Sequence, residues 1–255
     1  MTDGVQFPAN NFLDWYIEAE NMLADFLKYV QYCEDHEAVS SPKLCIILQE
    51  TCSLLDSLWC WEAESVHGKK GPDITDYFEL YGEVMAPRRV VFWSDEPREI
   101  TPFAAWQNVE NFAKNNSKNY PLDWWKGGYQ KIKHNRLENY RFATLKSAVE
   151  SLAGLFLAII RFKKLWDSLW EKGWVSWDKE GGMPFDPFGC LKADFESLDD
   201  EGKCSLTRMA VESKLFTYPV GLCKGLITAN KKHPHWKGNC SKRFKAWYYD
   251  HCQSL

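Results

Sequence analysis

The sequence predicts an all-α fold, an antiparallel helical bundle with an irregular insertion and a small C-terminal appendage. Three stretches support this prediction, because apolar residues recur in them at intervals of three and four positions, as in amphipathic helices. They cover residues 11–34, 40–64 and 142–172. The third stretch is the longest and most apolar, and long helices joined by short loops pack against one another as bundles.

The first two helices are separated by a short acidic loop, so we expect them to form an antiparallel hairpin. Ser40 and Ser41 are suitable N-cap residues for the second helix, and Pro42 suits its first turn. Four of the nine cysteines lie within these apolar patterns, and the sequence has no secretory signal. We therefore expect four buried free thiols, Cys33, Cys45, Cys52 and Cys60.

The insertion covers about residues 65–120. Glycines and prolines interrupt it repeatedly, and its one β-like run is RVVFW, from Arg89 to Trp93. We therefore predict an irregular excursion with one short strand. A helical pattern resumes at Leu122–Lys133.

Four tryptophans lie near the end of the third long helix and just beyond it, at spacings of four, four and three. A continued helix would place all four rings on one face, which is more typical of a core or subunit contact than of a base-stacking surface. They are Trp166, Trp170, Trp174 and Trp177. The sequence becomes loop-like at Gly173, so we divide the chain into a helical bundle over 1–172 and a C-terminal region over 173–255.

The composition limits the classes of protein to which this chain can belong. The chain has 255 residues, of which 45% are hydrophobic, so a sizeable core can form. Its longest apolar run, Leu152–Ile160, is too short to span a bilayer. The N-terminal residues include acids and amides and do not resemble a signal peptide. We expect a soluble, cytoplasmic protein that does not insert into membranes.

The C-terminal region carries most of the positive charge. Residues 201–255 contain ten Lys and Arg against three acids, a net charge of +7, whereas the whole chain carries −4, so residues 1–200 carry −11. This excess, interleaved with aromatic residues, favours an RNA-binding surface, with a solubilising tail as the alternative. The candidate RNA-binding residues are Lys231, Lys232, Trp236, Lys237, Lys242, Arg243, Lys245 and Trp247.

A structural zinc is a weaker hypothesis for the same region. Cysteine and histidine side chains are suitable ligands, but the region has no C-x-x-C pair and no familiar finger spacing. The residues concerned are Cys204, Cys223, His233, His235, Cys240, His251 and Cys252. The nucleotide-loop, dinucleotide and hydrolase motifs are also missing from the sequence. We therefore predict no metal ion and no other cofactor.

A hydrophilic cluster lies between the last two helical patterns. It contains Tyr129, Gln130, Lys133, His134 and Arg136. Histidine transfers protons near neutral pH, and Lys and Arg stabilise phosphate oxygens, so these residues suit metal-independent RNA cleavage. Gln130 and His134 would share a helical face, while Arg136 would converge with them only if the helix bends or ends there. A solvated helix surface is the alternative interpretation.

The order of these features resembles the HEPN superfamily (higher eukaryote and prokaryote nucleotide-binding domains) over about residues 10–165. Uncharacterised bacterial relatives share approximately W-W-x-x-Y-N-x-x-K-H-x-R followed by an apolar helix. The matching residues are Trp124, Trp125, Tyr129, Lys133, His134 and Arg136, then Ala143, Leu145, Ala148, Leu152, Ala153, Leu155 and Phe156. This chain has one extra residue before Tyr129, and Gln130 replaces the Asn.

The resemblance implies a dimeric helical bundle and an RNA-cleaving role in toxin–antitoxin, abortive-infection or CRISPR systems. His134 matches the catalytic His of active members, and Gln130 occupies the polar position. Tyr129 stands where active members have Arg. Arg136 or Lys133 would then engage phosphate, while Tyr129 would assist.

We therefore predict a metal-independent endoribonuclease that acts in bacterial defence or a toxin–antitoxin pair. Its expected partners are RNA, a second copy of the chain, and an antitoxin or defence-system protein. One alternative is a non-catalytic module that binds RNA, a nucleotide or a protein. The other is a scaffold subunit of a defence complex.

Overall fold

The structure is a computed structural model that describes residues 7–108, 122–178, 186–196, 209–220, 236–237 and 241–253. The chain forms two compact units. The helical unit comprises Met1–Arg88 and Thr101–Ala158. The sheet unit comprises Arg89–Ile100 and Ile159–Leu255.

The helical unit begins with the two predicted long helices, α1 (Ala9–Leu27) and α2 (Pro42–His67). Both predictions are confirmed, although α1 ends before residue 34 and a 3₁₀ turn follows at Glu34–His36. Helix α2 begins as its sequence indicates: Pro42 stands in the first turn, and the Leu44 N–H donates to the Ser41 hydroxyl at 3.1 Å.

The predicted irregular insertion contains a regular helix, α3 (Ile74–Met85), so that part of the prediction is wrong. A reciprocal capping box starts this helix: Asp73 accepts from Thr75 N–H at 2.7 Å, and Asp76 accepts from Asp73 N–H at 3.0 Å. The frequent glycines and prolines around it mark the ends of short elements and do not indicate a continuous loop.

The remaining helical segments surround the hydrophilic cluster. A π-helix (Asp123–Gln130) continues directly into α4 (Lys131–His134), and α5 (Arg136–Asn139) follows after a break. A 3₁₀ turn (Tyr140–Phe142) leads to α6 (Leu145–Arg161). Every residue from Ser151 to Ile160 is buried, as the continuous apolar pattern predicts.

The sheet unit shows that the all-α prediction is wrong, because the protein is a mixed α/β fold. In the part of the chain that the structure describes, six antiparallel strands form one sheet in the order β2-β1-β5-β4-β3-β6. The strands are β1 (Val90–Phe92), β2 (Arg98–Ile100), β3 (Val175–Asp178), β4 (Met209–Glu212), β5 (Phe216–Pro219) and β6 (Trp236–Lys237).

Strand β1 explains why the sheet was missed. The predicted β-like run is confirmed as β1, but two of its residues, Val91 and Phe92, pair with Thr217 and Phe216 of β5. A three-residue strand becomes stable only through such distant pairing, which local periodicity does not reveal.

The sheet unit also contains α7 (Trp166–Glu171), α8 (Pro187–Glu196) and α9 (Lys242–Gln253). Helix α7 ends before Gly173, which has φ 71°, and the chain then enters β3. The four tryptophans therefore do not share one helix face. The Trp170 ring instead stacks on Trp177 of β3, with 4.9 Å between ring centroids.

Helix α9 covers part of the sheet. Phe244 and Tyr248 of α9 pack against Val91, Trp93 and Ala210 in one buried cluster. The Trp93 indole N–H donates to the Thr217 hydroxyl at 2.8 Å, so the largest side chain of this cluster also has a buried polar partner.

Two further expectations concern cysteines and membrane spans. Cys45 and Cys52 are buried free thiols, as predicted, whereas Cys33 and Cys60 are free but only half-buried. Across the residues that the structure describes, no helix combines the length and apolar character needed to cross a bilayer.

Candidate functional site

The π-helix fixes the first part of the predicted site against α2. A Cβ added at Gly128 would lie 3.0 Å from Leu48 Cδ2, so the backbone at Gly128 packs directly against the Leu48 side chain of α2. The Trp124 indole N–H donates to the Pro102 carbonyl at 3.0 Å. These contacts hold the segment just before His134 in a rigid part of the unit.

Tyr129 belongs to this packed segment. Its side chain is 5% exposed, and its ring lies 5.1 Å from that of Trp125. Burial, with smaller effects from Asp56 and Cys52, raises the pKa of Tyr129 to about 12. The phenol therefore stays protonated at neutral pH and carries no charge toward a phosphate. Gln130, the last residue of the π-helix, is half-buried.

The helix ends between His134 and Arg136. Asn135 has extended backbone angles (φ −151°, ψ 93°), and its side chain accepts from the Glu138 N–H at 3.4 Å. His134 is thus the last residue of α4 and Arg136 the first of α5, and both side chains are exposed. Arg136 donates a hydrogen bond to the side-chain oxygen of Gln49 on α2.

The break creates a surface that we name the basic turn, residues 131–141. Its exposed cationic and titratable residues are Lys131, Lys133, His134, Arg136 and Arg141, and its one acid is Glu138. The Asn139 amide donates to the Lys131 carbonyl at 3.0 Å, which closes the turn.

Two of these cations approach one ring at the end of the turn. Lys131 Nζ lies 3.8 Å and Arg141 Cζ 5.1 Å from the centroid of Phe142. Lys133 Nζ lies 5.4 Å from the ring of Tyr129. Cation–π attraction offsets part of the repulsion between neighbouring positive charges, so aromatic packing helps gather them.

Apolar and aromatic side chains are exposed on the same turn. Leu137 is 88% exposed and Tyr140 is 47% exposed. A surface with positive charge and an accessible aromatic ring can attract phosphate and stack an unpaired base.

The structure positions only part of the predicted C-terminal RNA-binding set. Lys231 and Lys232 lie outside the described residues, and the side chains of Trp236 and Lys237 in β6 are likewise not described. Lys242, Arg243, Lys245 and Trp247 lie on α9.

Arg243 has a structural role that the sequence did not indicate. Its guanidinium donates to the carbonyls of Ser213 at 3.2 Å and Lys214 at 2.6 Å. It also lies 4.9 Å from the Trp93 ring centroid. The only sequence signal for this pair is that Trp93 ends the β-like run and Arg243 belongs to the basic tail.

Sequence reasoning also missed Glu150 of α6. Burial raises the pKa of this carboxyl to about 7, while Lys146 opposes the rise and Glu37 and Asp123 add to it. Lys146 forms an ion pair with Glu37 at 2.8 Å. A glutamate one helical turn from a lysine looks like an ordinary surface pair, and only the packing makes it titrate near neutrality.

Among the side chains that the structure describes, no group of three or more Cys, His, Asp and Glu is arranged to hold a metal ion. All seven side chains of the zinc hypothesis lie outside them: those of Cys204, Cys223, His233, His235, Cys240, His251 and Cys252. Comparison with protein families, curated proteins and solved structures finds no match to this chain.

Proposed function

We propose that this protein is a cytoplasmic RNA-binding module of the HEPN type and that the basic turn is its RNA contact. The observation that carries the proposal is the exposure of four permanent cations and His134 within residues 131–141, against one acid. The rest of residues 1–200 is strongly acidic, since that stretch carries −11 while the whole chain carries −4. RNA would therefore be attracted to this surface and repelled by most others on the helical unit.

The geometry suits single-stranded RNA better than a duplex. Each Lys or Arg side chain of the turn can contact one phosphate, and Tyr140 offers a ring on which an unpaired base stacks. A duplex presents regularly spaced phosphates but hides its base faces, so it would use the charges and not the ring. A homodimer would double the number of phosphate contacts and so raise affinity.

Metal-independent RNA cleavage is the second candidate, and the helix break at Asn135 favours it. The break leaves His134 and Arg136 exposed at the adjoining ends of α4 and α5. In this role His134 would transfer the proton and Arg136 with Lys133 would stabilise the phosphate. A second His134 from a partner copy would supply the acid that cleavage also needs. Such an enzyme would serve as an effector beside an antitoxin or another defence protein.

Binding is tested by fluorescence anisotropy with a labelled single-stranded RNA in EDTA over a range of salt concentrations. We expect Lys133→Ala/Arg141→Ala to weaken binding and to reduce the slope of log K against log salt by about 0.7 for each lost phosphate contact. Lys43→Ala/Lys70→Ala is the matched control, because it removes the same charge from exposed positions on α2 and just after it. Equal loss in both variants would contradict a specific role for the basic turn.

Cleavage is tested on the same RNA by comparing the wild-type protein with His134→Ala and His134→Gln. Cutting in EDTA that disappears in both variants, while anisotropy still reports binding, would establish the nuclease. Binding with no cutting by any of the three proteins would leave the non-catalytic module as the function.

A further inference from the structure

We propose that a cavity in the sheet unit binds a guanine base, supplied either by single-stranded RNA or by a free guanine nucleotide. The cavity has a volume of about 630 Å³ and lies between the β1–β2 loop and α9. Trp93, Asp95, Arg243, Trp247 and Asp250 line it. It is independent of the basic turn, which belongs to the helical unit.

Flat surfaces form one side of this site. Arg243 is held by the backbone carbonyls of Ser213 and Lys214 and packs on Trp93, yet 40% of its side chain remains exposed. Trp247 is half-buried and stacks on Phe244 with 6.0 Å between centroids. A fixed guanidinium plane and an indole are both surfaces on which nucleobases stack, and neither needs to be reorganised first.

Two carboxylates supply the hydrogen-bonding edge. Asp95 is exposed in the β1–β2 loop and Asp250 is exposed on α9. An ionised carboxylate only accepts hydrogen bonds, so the ligand has to present donors. Among the common bases, guanine alone presents two adjacent donors, N1–H and N2–H₂, and a carboxylate can accept from both at once. Adenine and cytosine offer one amino group each, next to a ring acceptor that a carboxylate would repel.

The charge of the cavity distinguishes a neutral base from charged ligands of similar size. Two carboxylates against one guanidinium disfavour a phosphate inside the cavity. A second organic cation is the competing ligand for this negative site, so the titration below includes an arginine derivative. Lys242, which is exposed and precedes Arg243 on α9, can neutralise a phosphate that remains outside while the base enters.

The test uses the full-length protein and calorimetric titration with guanosine, inosine and adenosine monophosphates. Inosine lacks only the N2 amino group, so we expect its binding to be about tenfold weaker than that of guanosine monophosphate. Adenosine monophosphate should bind more weakly still. Equal affinities for all three, or no binding of guanosine monophosphate together with binding of an arginine derivative, would overturn the proposal.

The matched variants are Asp95→Asn, Asp250→Asn and the control Glu96→Gln. All three remove one negative charge from exposed side chains, but Glu96 does not line the cavity. We expect about tenfold weaker guanosine monophosphate binding in at least one Asp variant and less than twofold change in the control. Circular dichroism and the melting temperature check that each variant folds. Equal effects in all three would overturn the proposal.

A second arm distinguishes the two sources of the base. Short single-stranded RNAs that differ only in one central guanine or adenine are titrated against the wild-type protein and Lys133→Ala/Arg141→Ala. If RNA is the source, the guanine preference persists in the variant while overall affinity falls. If a free nucleotide is the source, guanosine monophosphate binds selectively and the two RNAs bind alike. Loss of nucleotide binding in the basic-turn variant would contradict an independent site.

Discussion

Trp59 of the helical unit and Trp93 of the sheet unit are both buried, but their neighbours come from different distances along the chain. The Trp59 ring packs against Tyr77, Tyr81, Phe103 and Trp106, with centroids 5.2 to 6.0 Å away. Trp93 hydrogen-bonds Thr217, which is 124 positions away. The helical unit thus gathers its core largely from consecutive helices, whereas the sheet unit depends on segments that are far apart in sequence.

This difference predicts how each unit forms and fails. Local contacts cost little loop-closure entropy, so helices can form early, before they pack against one another. A sheet whose β1 comes from residues 90–92 and whose β5 comes from residues 216–219 forms only when these two distant segments meet. Substitutions in the helical core should therefore reduce the free energy of unfolding in proportion to the packing that is lost. Substitutions in the sheet should disrupt the pairing of strands that are distant in sequence.

The largest expected effect is at Trp59, which is fully buried. Trp59→Ala should cost about 3–5 kcal/mol of unfolding free energy, because a large cavity replaces contacts with four rings. Its indole N–H has no hydrogen-bond partner among the described residues, so Trp59→Phe should cost clearly less. Denaturant unfolding measures both. Similar losses in the two variants would indicate a hidden polar role for the indole.

Thr217→Val should have the next largest effect, and it tests the sheet unit. The variant keeps the shape but leaves the buried Trp93 N–H without its acceptor, which should cost about 1–3 kcal/mol. A double-mutant cycle with Trp93→Phe isolates the pair. Hydrogen exchange should show lost protection in β1 and β5 first, and uniform loss across the helical unit would contradict the distinction between the units.

Glu150 should make the helical unit pH-dependent. Its pKa is about 7 in the folded protein, above the ordinary 4.5, so the folded state holds a proton that the unfolded state has released. The associated stability is complete below about pH 4.5 and is lost as the pH rises through 7. Glu150→Gln should therefore be more stable than wild type at pH 8, by about 1–2 kcal/mol of unfolding free energy, and should match it near pH 4.

The matched control for Glu150 is Glu138→Gln, an exposed position in the same unit. If both variants gain the same stability at pH 8, the effect comes from net charge and the packing of Glu150 is not its cause.

Ser41→Ala should have the smallest effect of the four. It removes the acceptor for the Leu44 N–H at the start of α2 and should cost about 1 kcal/mol. Ser41→Asp, which keeps an acceptor and adds a favourable charge at the helix N-terminus, should restore the loss. Failure of Ser41→Asp to recover the melting temperature would mean that Ser41 acts through packing and not through its cap.

Predictability followed the range of the interactions. The cap at Ser41, the long helix α2 and the buried stretch 151–160 depend on neighbours a few positions apart, so periodicity predicted them. Helix α3 was missed because its capping box lies among residues that also signal loops. The fold class was wrong because β1, β3 and β5 are short and gain their stability from pairing with strands that are distant in sequence.

The candidate site divides in the same way. The sequence identified His134, Lys133 and Arg136 as a hydrophilic cluster between helices, and the structure adds where each one lies. Tyr129 is buried because the π-helix packs on α2, and Arg136 at the start of α5 bonds Gln49 of the same helix. The cavity beside Trp93 was not predictable, because its two walls come from residues 93–97 and 243–250.

The sequence by itself determined the long helices, the capped start of α2, the buried apolar helix and the basic character of residues 131–141. Each of these features depends on the pattern of side chains or on charge, and both are present before any tertiary contact forms. Only the tertiary structure decided which tyrosine is buried, which carboxyl titrates near neutrality, which arginine is engaged and which strands form the sheet. Those outcomes depend on desolvation and pairing between distant segments, and such energies do not exist until the segments meet.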